Sequence, residues 1–224
     1  APSKTIEGAV LALEHFNNDE KLFLFGKEEV ITSELNKYNF NKNLIEIIHC
    51  SEIIEMGEHP TKAFKQKLDS TIYKGFEYLA KNKIDTFASA GNTGAMFIGG
   101  YYTVKPIRGV IRPSIATVIP KLNGKVAVLL DVGANADCKP DVLYQFGVLG
   151  SLFAQNVYDI KNPKVSLLNL GEEKTKGNML TQTAYGLMHG SKDYNFIGNI
   201  EANNIFESET DVIVCDGFTG NIVL

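Results

Sequence analysis

Apolar positions recur along this chain first at helical and then at strand spacing, over and over. Ile6, Val10, Leu13 and Phe16 share one face of a helix expected over Thr5 to Phe16, and the run Leu22 to Phe25, closed by Gly26, reads as a strand. A helix over Glu28 to Leu35 and a strand over Leu44 to His49 continue the alternation. The segment Thr61 to Lys81 reads as one long helix, with Thr61 after Pro60 as its N-cap. A helix is expected over Ala95 to Tyr102, broken at Lys105-Pro106, followed by strands at Ser114 to Ile119 and Lys125 to Leu130 joined by the turn-rich link Pro120 to Gly124. Helices at Val142 to Val157 and Leu180 to His189 then alternate with strands at Val165 to Leu170, Tyr194 to Ile197 and Val212 to Cys215. Strand and helix in alternation predict an α/β fold with a mostly parallel sheet, and the hairpin makes that sheet mixed.

Four apolar, β-branched runs stop abruptly in Gly, Asn, Asp or Lys: T-F-A-S-A-G-N-T-G at Thr86 to Gly94, L-L-D-V-G-A-N at Leu129 to Asn135, L-L-N-L-G-E-E-K-T-K-G-N at Leu167 to Asn178, and I-V-C-D-G-F-T-G-N at Ile213 to Asn221. Buried strands end this way when their tips build a polar, backbone-rich site, because glycine permits close approach and the following helix offers unpaired N–H groups to an anion. Ligands of open α/β sheets lie outside the carboxyl ends of the strands. That rule assigns Ser89, Asn92, Thr93, Asp131, Asn135, Lys176, Asn178, Asp216 and Asn221 to one cleft, with Gly91, Gly94, Gly133 and Gly217 shaping it.

Each motif also has a plainer reading. Ser89 to Ala95 offers donors at a helix N-terminus, where phosphate is favoured, or is a strand-to-helix turn with a capping side chain. Lys176 can neutralise a phosphate oxygen or a developing oxyanion, while Glu172, Glu173 and Lys174 read as solvated loop charges. Asp131 and Asp216 can hold a metal, accept a proton or orient a lysine; equally, each can accept backbone N–H groups in its own turn.

With 22 basic and 26 acidic residues in 224, the chain is nearly neutral, which argues against a nucleic-acid binder. Cys50, Cys138 and Cys215 lie far apart and form no C-x-x-C pair, so neither a disulfide framework nor a zinc knuckle is expected, and cytoplasm is the simplest compartment. His15, His49, His59 and His189 fall outside the motifs, no G-x-S-x-G elbow is present, and both the phosphate loop of NTPases and the dinucleotide turn are missing. Charge is uneven in one place. Residues 101 to 125 carry Lys105, Arg108, Arg112, Lys121 and Lys125 and no acid, a stretch suited to an acidic partner or an anionic surface, or simply a solvated linker.

The four loops in this order, with N-F-I-G-N-I-E at Asn195 to Glu201, resemble one family along essentially the whole chain: the bacterial acyl-(acyl carrier protein):phosphate acyltransferases of phospholipid synthesis, the PlsX family. The resemblance implies a three-layer α/β/α fold similar to phosphotransacetylase and the isocitrate and isopropylmalate dehydrogenases, in a cytoplasmic homodimer. It implies transfer of a fatty acyl group from acyl carrier protein to inorganic phosphate, with the product passed to a membrane acyltransferase acting on glycerol 3-phosphate and a peripheral contact with the membrane. Residues 1–224 are read as a single acyltransferase domain, incomplete at both ends, since the family opens with a D-x-M-G-G-D strand and closes with further helices. Phosphate is a competent nucleophile and a thioester an activated donor, so no metal, cofactor or covalent acyl-enzyme is expected. Lys176, Asn178 and Asp216 are the catalytic candidates. Ser89, Gly91, Asn92, Thr93, Gly94, Asp131, Gly133, Asn135, Gly217 and Asn221 are candidates for phosphate or substrate binding, and Lys105, Arg108 and Arg112 for docking the carrier. Two rival readings share this chemistry, a phosphotransacetylase acting on acyl-coenzyme A and a non-catalytic regulator that binds acyl groups or phosphate.

Overall fold

The computed structural model describes residues 2–17 and 19–224, which fall into two compact units divided between Pro106 and Ile107. The first unit contains α1 (Pro2–Ala12), β1 (Leu22–Gly26), α2 (Glu28–Leu35), β2 (Ile45–His49), α3 (Pro60–Gln66), α4 (Thr71–Ala80) and α5 (Thr93–Gly99). The second contains β3 (Ala116–Pro120), β4 (Val126–Leu130), α6 (Pro140–Tyr158), β5 (Lys164–Asn169), α7 (Met179–Met188), β6 (Asn195–Glu201), β7 (Val212–Val214) and α8 (Gly217–Val223).

In the second unit five strands form one sheet in the order β3-β4-β7-β5-β6, antiparallel at the β3–β4 hairpin and parallel elsewhere. The expected mixed sheet is therefore present. Alternate residues of its central strands point to opposite faces, and both faces are buried, which is why V-A-V-L-L and V-I-V read as unbroken apolar runs. Val128, Leu130, Val165, Leu167, Val212 and Val214 pack beneath α6 and α7, against Leu143, Phe146, Ala184 and Met188. Ala127, Leu129, Leu168, Ile213 and Cys215 face the other way, toward Ile205 and Val223 of α8. Helix α6 approaches closely because its inner face carries Gly147, Gly150, Ser151 and Ala154; a side chain at Gly150 would overlap Val212. Strand β6 runs four residues beyond its expected end, to Glu201, past an irregularity in its pairing with β5 at Val165/Ser166.

The first unit pairs β1 and β2 in parallel, with Ile6, Ile31 and Leu35 buried between α1, α2 and the strands. A second cluster joins Ile54, Ala63, Phe64, Ile72, Phe76 and Ala95. Three expectations fail here. The helix expected over Thr61 to Lys81 is two helices, because Asp69 turns away from the helix to accept the Ser51 N–H (2.8 Å) and hydroxyl (2.5 Å) and pair with Lys74 (2.5 Å), leaving Ser70 to cap α4 at the Tyr73 N–H (3.3 Å). Helix α3 starts at Pro60, with His59 rather than Thr61 at the cap. Thr86 to Ser89 is not a strand: Phe87 is held by edge-on ring contacts with Phe25 (5.8 Å between centroids) and Phe76 (5.2 Å). Helix α5 begins two residues earlier than expected and passes into a π-helical turn, Gly100–Val104, before it ends at Lys105 with φ of 69°.

Hydrogen bonds from the Lys74 ammonium and from Ser51 hold the Asp69 carboxyl well below the usual carboxylate range. A carboxyl lowered on folding contributes stability above its unfolded value of about 4 and loses it as pH falls through the folded value. Thermal melts should show wild type above Asp69→Asn by a constant margin from pH 5 to 8, with the margin shrinking below about pH 4. Parallel curves down to pH 2 would show that the pair contributes nothing.

Candidate functional site

Strands β4, β7 and β5 are neighbours and parallel, with Leu130 beside Val214 and Val214 beside Leu167, so their carboxyl ends lie side by side. Three of the four motifs start there. The first two interlock. The Asp131 side chain is buried, and its carboxylate accepts the N–H groups of Ile115 (2.9 Å), Ala134 (3.3 Å) and Asn135 (2.6 Å) together with the Asn135 amide (2.9 Å). That amide also donates to the Pro113 carbonyl (2.9 Å), and the Asn135 carbonyl accepts the Gly217 N–H (2.8 Å). Side chains at Gly217 and Gly220 cannot be accommodated: at Gly217 a Cβ would lie 2.8 Å from the Asn135 nitrogen, and at Gly220 it would overlap the Asp131 carbonyl oxygen.

Asp131 and Asn135, both candidates for ligand binding in the sequence, are bonded to each other and to the backbone of this turn. The two carboxylate oxygens of Asp131 thus accept from four donors, all of them from the turn and the segment before β3. Asp216 also turns inward, capping α8 through the Thr219 N–H (2.8 Å) and hydroxyl (2.8 Å). On the outer side of this frame stand Gly133, with φ of 108°, and Asn221, whose amide oxygen lies 3.4 Å from where a Gly133 Cβ would be.

The β5 loop has its own frame. Gly177 adopts φ of 91° with Thr181 and Asn169 so close that any side chain would overlap them. Asn169 donates to the Lys176 carbonyl (3.2 Å), Gln182 to those of Thr175 (2.8 Å) and Gly177 (3.1 Å), and Asn199 to that of Glu173 (3.0 Å). Asn178 caps α7, its side-chain oxygen accepting the Thr181 N–H (2.9 Å). Within this pinned loop Lys176 is exposed, and no carboxylate among the described residues lies at ion-pair distance from its ammonium. Asn169, Thr181, Gln182 and Asn199 escaped the sequence reading because each acts on a backbone group several residues away.

The Ser89–Gly94 loop belongs to the first unit. Ser89 accepts the Gly91 N–H (3.0 Å), and Asn92, 5% exposed, caps α5 through the Ala95 N–H (2.9 Å). Its amide nitrogen donates to the carbonyls of Glu55 (3.0 Å), Met56 (3.2 Å) and Glu58 (3.4 Å). Ser89 and Thr93 are exposed. In the basic stretch Lys105, Arg108 and Arg112 are exposed, with Arg112 donating to the Asp137 carbonyl (3.1 Å). Lys121 departs from expectation: it is 6% exposed and donates to the Thr210 carbonyl (3.0 Å), and burial lowers its pKa.

Burial pushes the thiols of Cys50 and Cys138 up to about 11, and that of Cys215 higher still, so none is a ready nucleophile. Among the described residues no three His, Cys, Asp or Glu side chains form a metal-binding group, and no helix is long and apolar enough to cross a membrane.

Asp131→Asn should cost about 3 kcal/mol or more in stability, because the amide retains one acceptor and turns N–H donors toward backbone donors. Urea unfolding checks this, and an unchanged midpoint would contradict the structural role.

The whole chain, residues 1–224, matches the family described as "Fatty acid synthesis protein". It is similar to proteins named phosphate acyltransferase: 44% identical over 224 residues to that of Dictyoglomus turgidum, covering 100% of this chain and 66% of the relative, and 46% over 225 residues to that of Halothermothrix orenii, covering 100% and 67%. The protein of that name from Staphylococcus aureus is 46% identical over 224 residues, covering 100% and 66%. The chain thus spans about two thirds of the length of these relatives. Solved structures of similar fold include a phosphotransacetylase from Streptococcus pyogenes (TM-score 0.70, 18% identity, 99% of this chain and 76% of that one). A branched-chain phosphotransacylase from Enterococcus faecalis V583 is another (TM-score 0.65, 14% identity, 98% and 77%). Matched from end to end, and with its strand-end loops in the expected order, the chain belongs to the PlsX, or fatty acid synthesis protein, family.

Proposed function

We propose that the protein transfers a fatty acyl group from a thioester on acyl carrier protein to inorganic phosphate. A phosphate oxygen attacks the thioester carbonyl carbon, the C–S bond breaks, and the departing thiolate takes up the proton released from phosphate, giving acyl phosphate and free carrier thiol. The observation that carries this reading is the set of glycine- and asparagine-rich loops at the adjoining carboxyl ends of β4, β7 and β5, in a chain similar along its whole length to proteins named phosphate acyltransferase. The raised cysteine pKa values favour direct attack over a thioester-linked enzyme intermediate.

Phosphate is assigned to the Ser89–Gly94 loop, through Ser89, Thr93 and the N–H groups that open α5. Lys176 is assigned the charge that develops as the reaction proceeds, since an uncommitted ammonium on a pinned loop is free to meet an oxyanion. Asn178, Asp216, Asp131 and Asn135 hold the loops in place. The exposed Lys105, Arg108 and Arg112 are assigned to the acidic carrier. Family resemblance supports a homodimer in the cytoplasm that contacts the membrane peripherally and passes its product to a glycerol 3-phosphate acyltransferase. The likeness to phosphotransacetylases favours one alternative, the same transfer from a short acyl-coenzyme A.

Incubation with palmitoyl carrier protein and hydroxylamine should yield hydroxamate above the direct reaction of the thioester only when phosphate and protein are both present, and acetyl-coenzyme A should be a poor donor; the opposite preference would establish the alternative, and no phosphate-dependent hydroxamate from either would leave only a binding protein. Lys176→Ala should lower turnover ~100-fold. Full turnover would remove the lysine from the mechanism. Reversing Arg108 and Arg112 to Glu should raise KM for the carrier and flatten its dependence on salt, whereas unchanged KM would place the docking surface elsewhere.

A further inference from the structure

Residues 53–58 of the first unit form an irregular turn that exposes Ile53 and Met56, buries Ile54 in the core and is fastened by polar contacts at three further points. The Lys67 ammonium donates to the Ile53 carbonyl (2.6 Å) and pairs with Glu58 (2.6 Å). The Glu58 carboxylate accepts the Glu55 N–H (2.7 Å), and the Glu58 N–H donates to the Glu55 carbonyl (3.2 Å). The third fastening is Asn92, whose buried amide nitrogen is shared among the carbonyls of Glu55, Met56 and Glu58 while its oxygen caps α5. One side chain thereby ties this turn to the loop assigned to phosphate. Its two N–H donors are directed at backbone carbonyls, so they are not available to a ligand.

We infer that Asn92 is a positioning residue, not a phosphate ligand, and that the Glu55–Glu58 turn acts through it to set the conformation of the Ser89–Gly94 loop. The inference rests on the reading of that loop as the phosphate site. An asparagine is required because the position needs an acceptor for the Ala95 N–H and donors for the turn on a single short side chain. Aspartate would keep the cap, lose both donors and set a charge against three carbonyl oxygens.

Two variants test this by different routes. Asn92→Asp removes the shared donors, and Lys67→Met removes the fastening at the far side of the turn without touching the loop. In both, hydrogen exchange at the Glu55 and Glu58 amides should accelerate about tenfold, and KM for phosphate should rise about tenfold while kcat changes by less than about threefold, as for a site loosened and not stripped of a reacting group. Wild-type exchange in Asn92→Asp, or wild-type KM for phosphate in Lys67→Met, would overturn the inference. A wild-type chain that forms no acyl phosphate would sink the functional reading, and the exchange rates would still decide whether Asn92 holds the turn.

Discussion

A buried carboxylate has to be met by enough donors to replace its lost hydration, and Asp131 meets that demand at the point where β4 ends. Its four donors come from the segment before β3, from its own turn and from Asn135, which in turn receives the Gly217 N–H at the start of α8. The carboxylate therefore organises the tips of both central strands. Glycines at 217 and 220 let α8 descend onto that turn, and any side chain there would lift the helix from the Asp131 backbone. Gly133 and Asn221 stand on the outer side of this joint.

The same division of labour recurs in each loop. Asp131, Asn135 and Asn92 are buried and spend their polar groups on backbone N–H or carbonyl partners, while half-buried Asp216 and exposed Asn178 cap α8 and α7. Residues turned outward, Ser89, Thr93, Lys176 and Asn221, are left to meet a ligand. Exposed donors on a fastened loop lose little entropy when they bind an anion, which suits a reaction that asks for positioning and charge stabilisation above all.

Much of this fold could be read from apolar spacing, because β4, β5, β7 and α6 are dictated by local pattern and are buried on the faces that pattern predicts. Failures came where a distant residue overrode it. Asp69 left a helical register for Ser51 and Lys74, eighteen residues back and five ahead. Thr86 to Ser89 has strand composition but is held by the rings of Phe25 and Phe76. Lys121 sits in a basic stretch yet is buried, because the Thr210 carbonyl across the unit offers it a partner. The motifs named the loops that matter, while the direction in which each polar side chain turns depends on partners as remote as Glu55 from Asn92 or Ile115 from Asp131, and spacing carries no record of that.

The central claim is that the motif residues divide into those that fasten the turns and those whose donors are left exposed to a ligand. Titration of isotopically labelled protein with inorganic phosphate, followed by nuclear magnetic resonance, tests it most directly. The backbone amides of Thr93 and Gly94 should shift and saturate, while the side-chain amides of Asn92 and Asn135 hold their positions. Saturable shifts of those two buried amides, with Thr93 and Gly94 unmoved, would contradict the account.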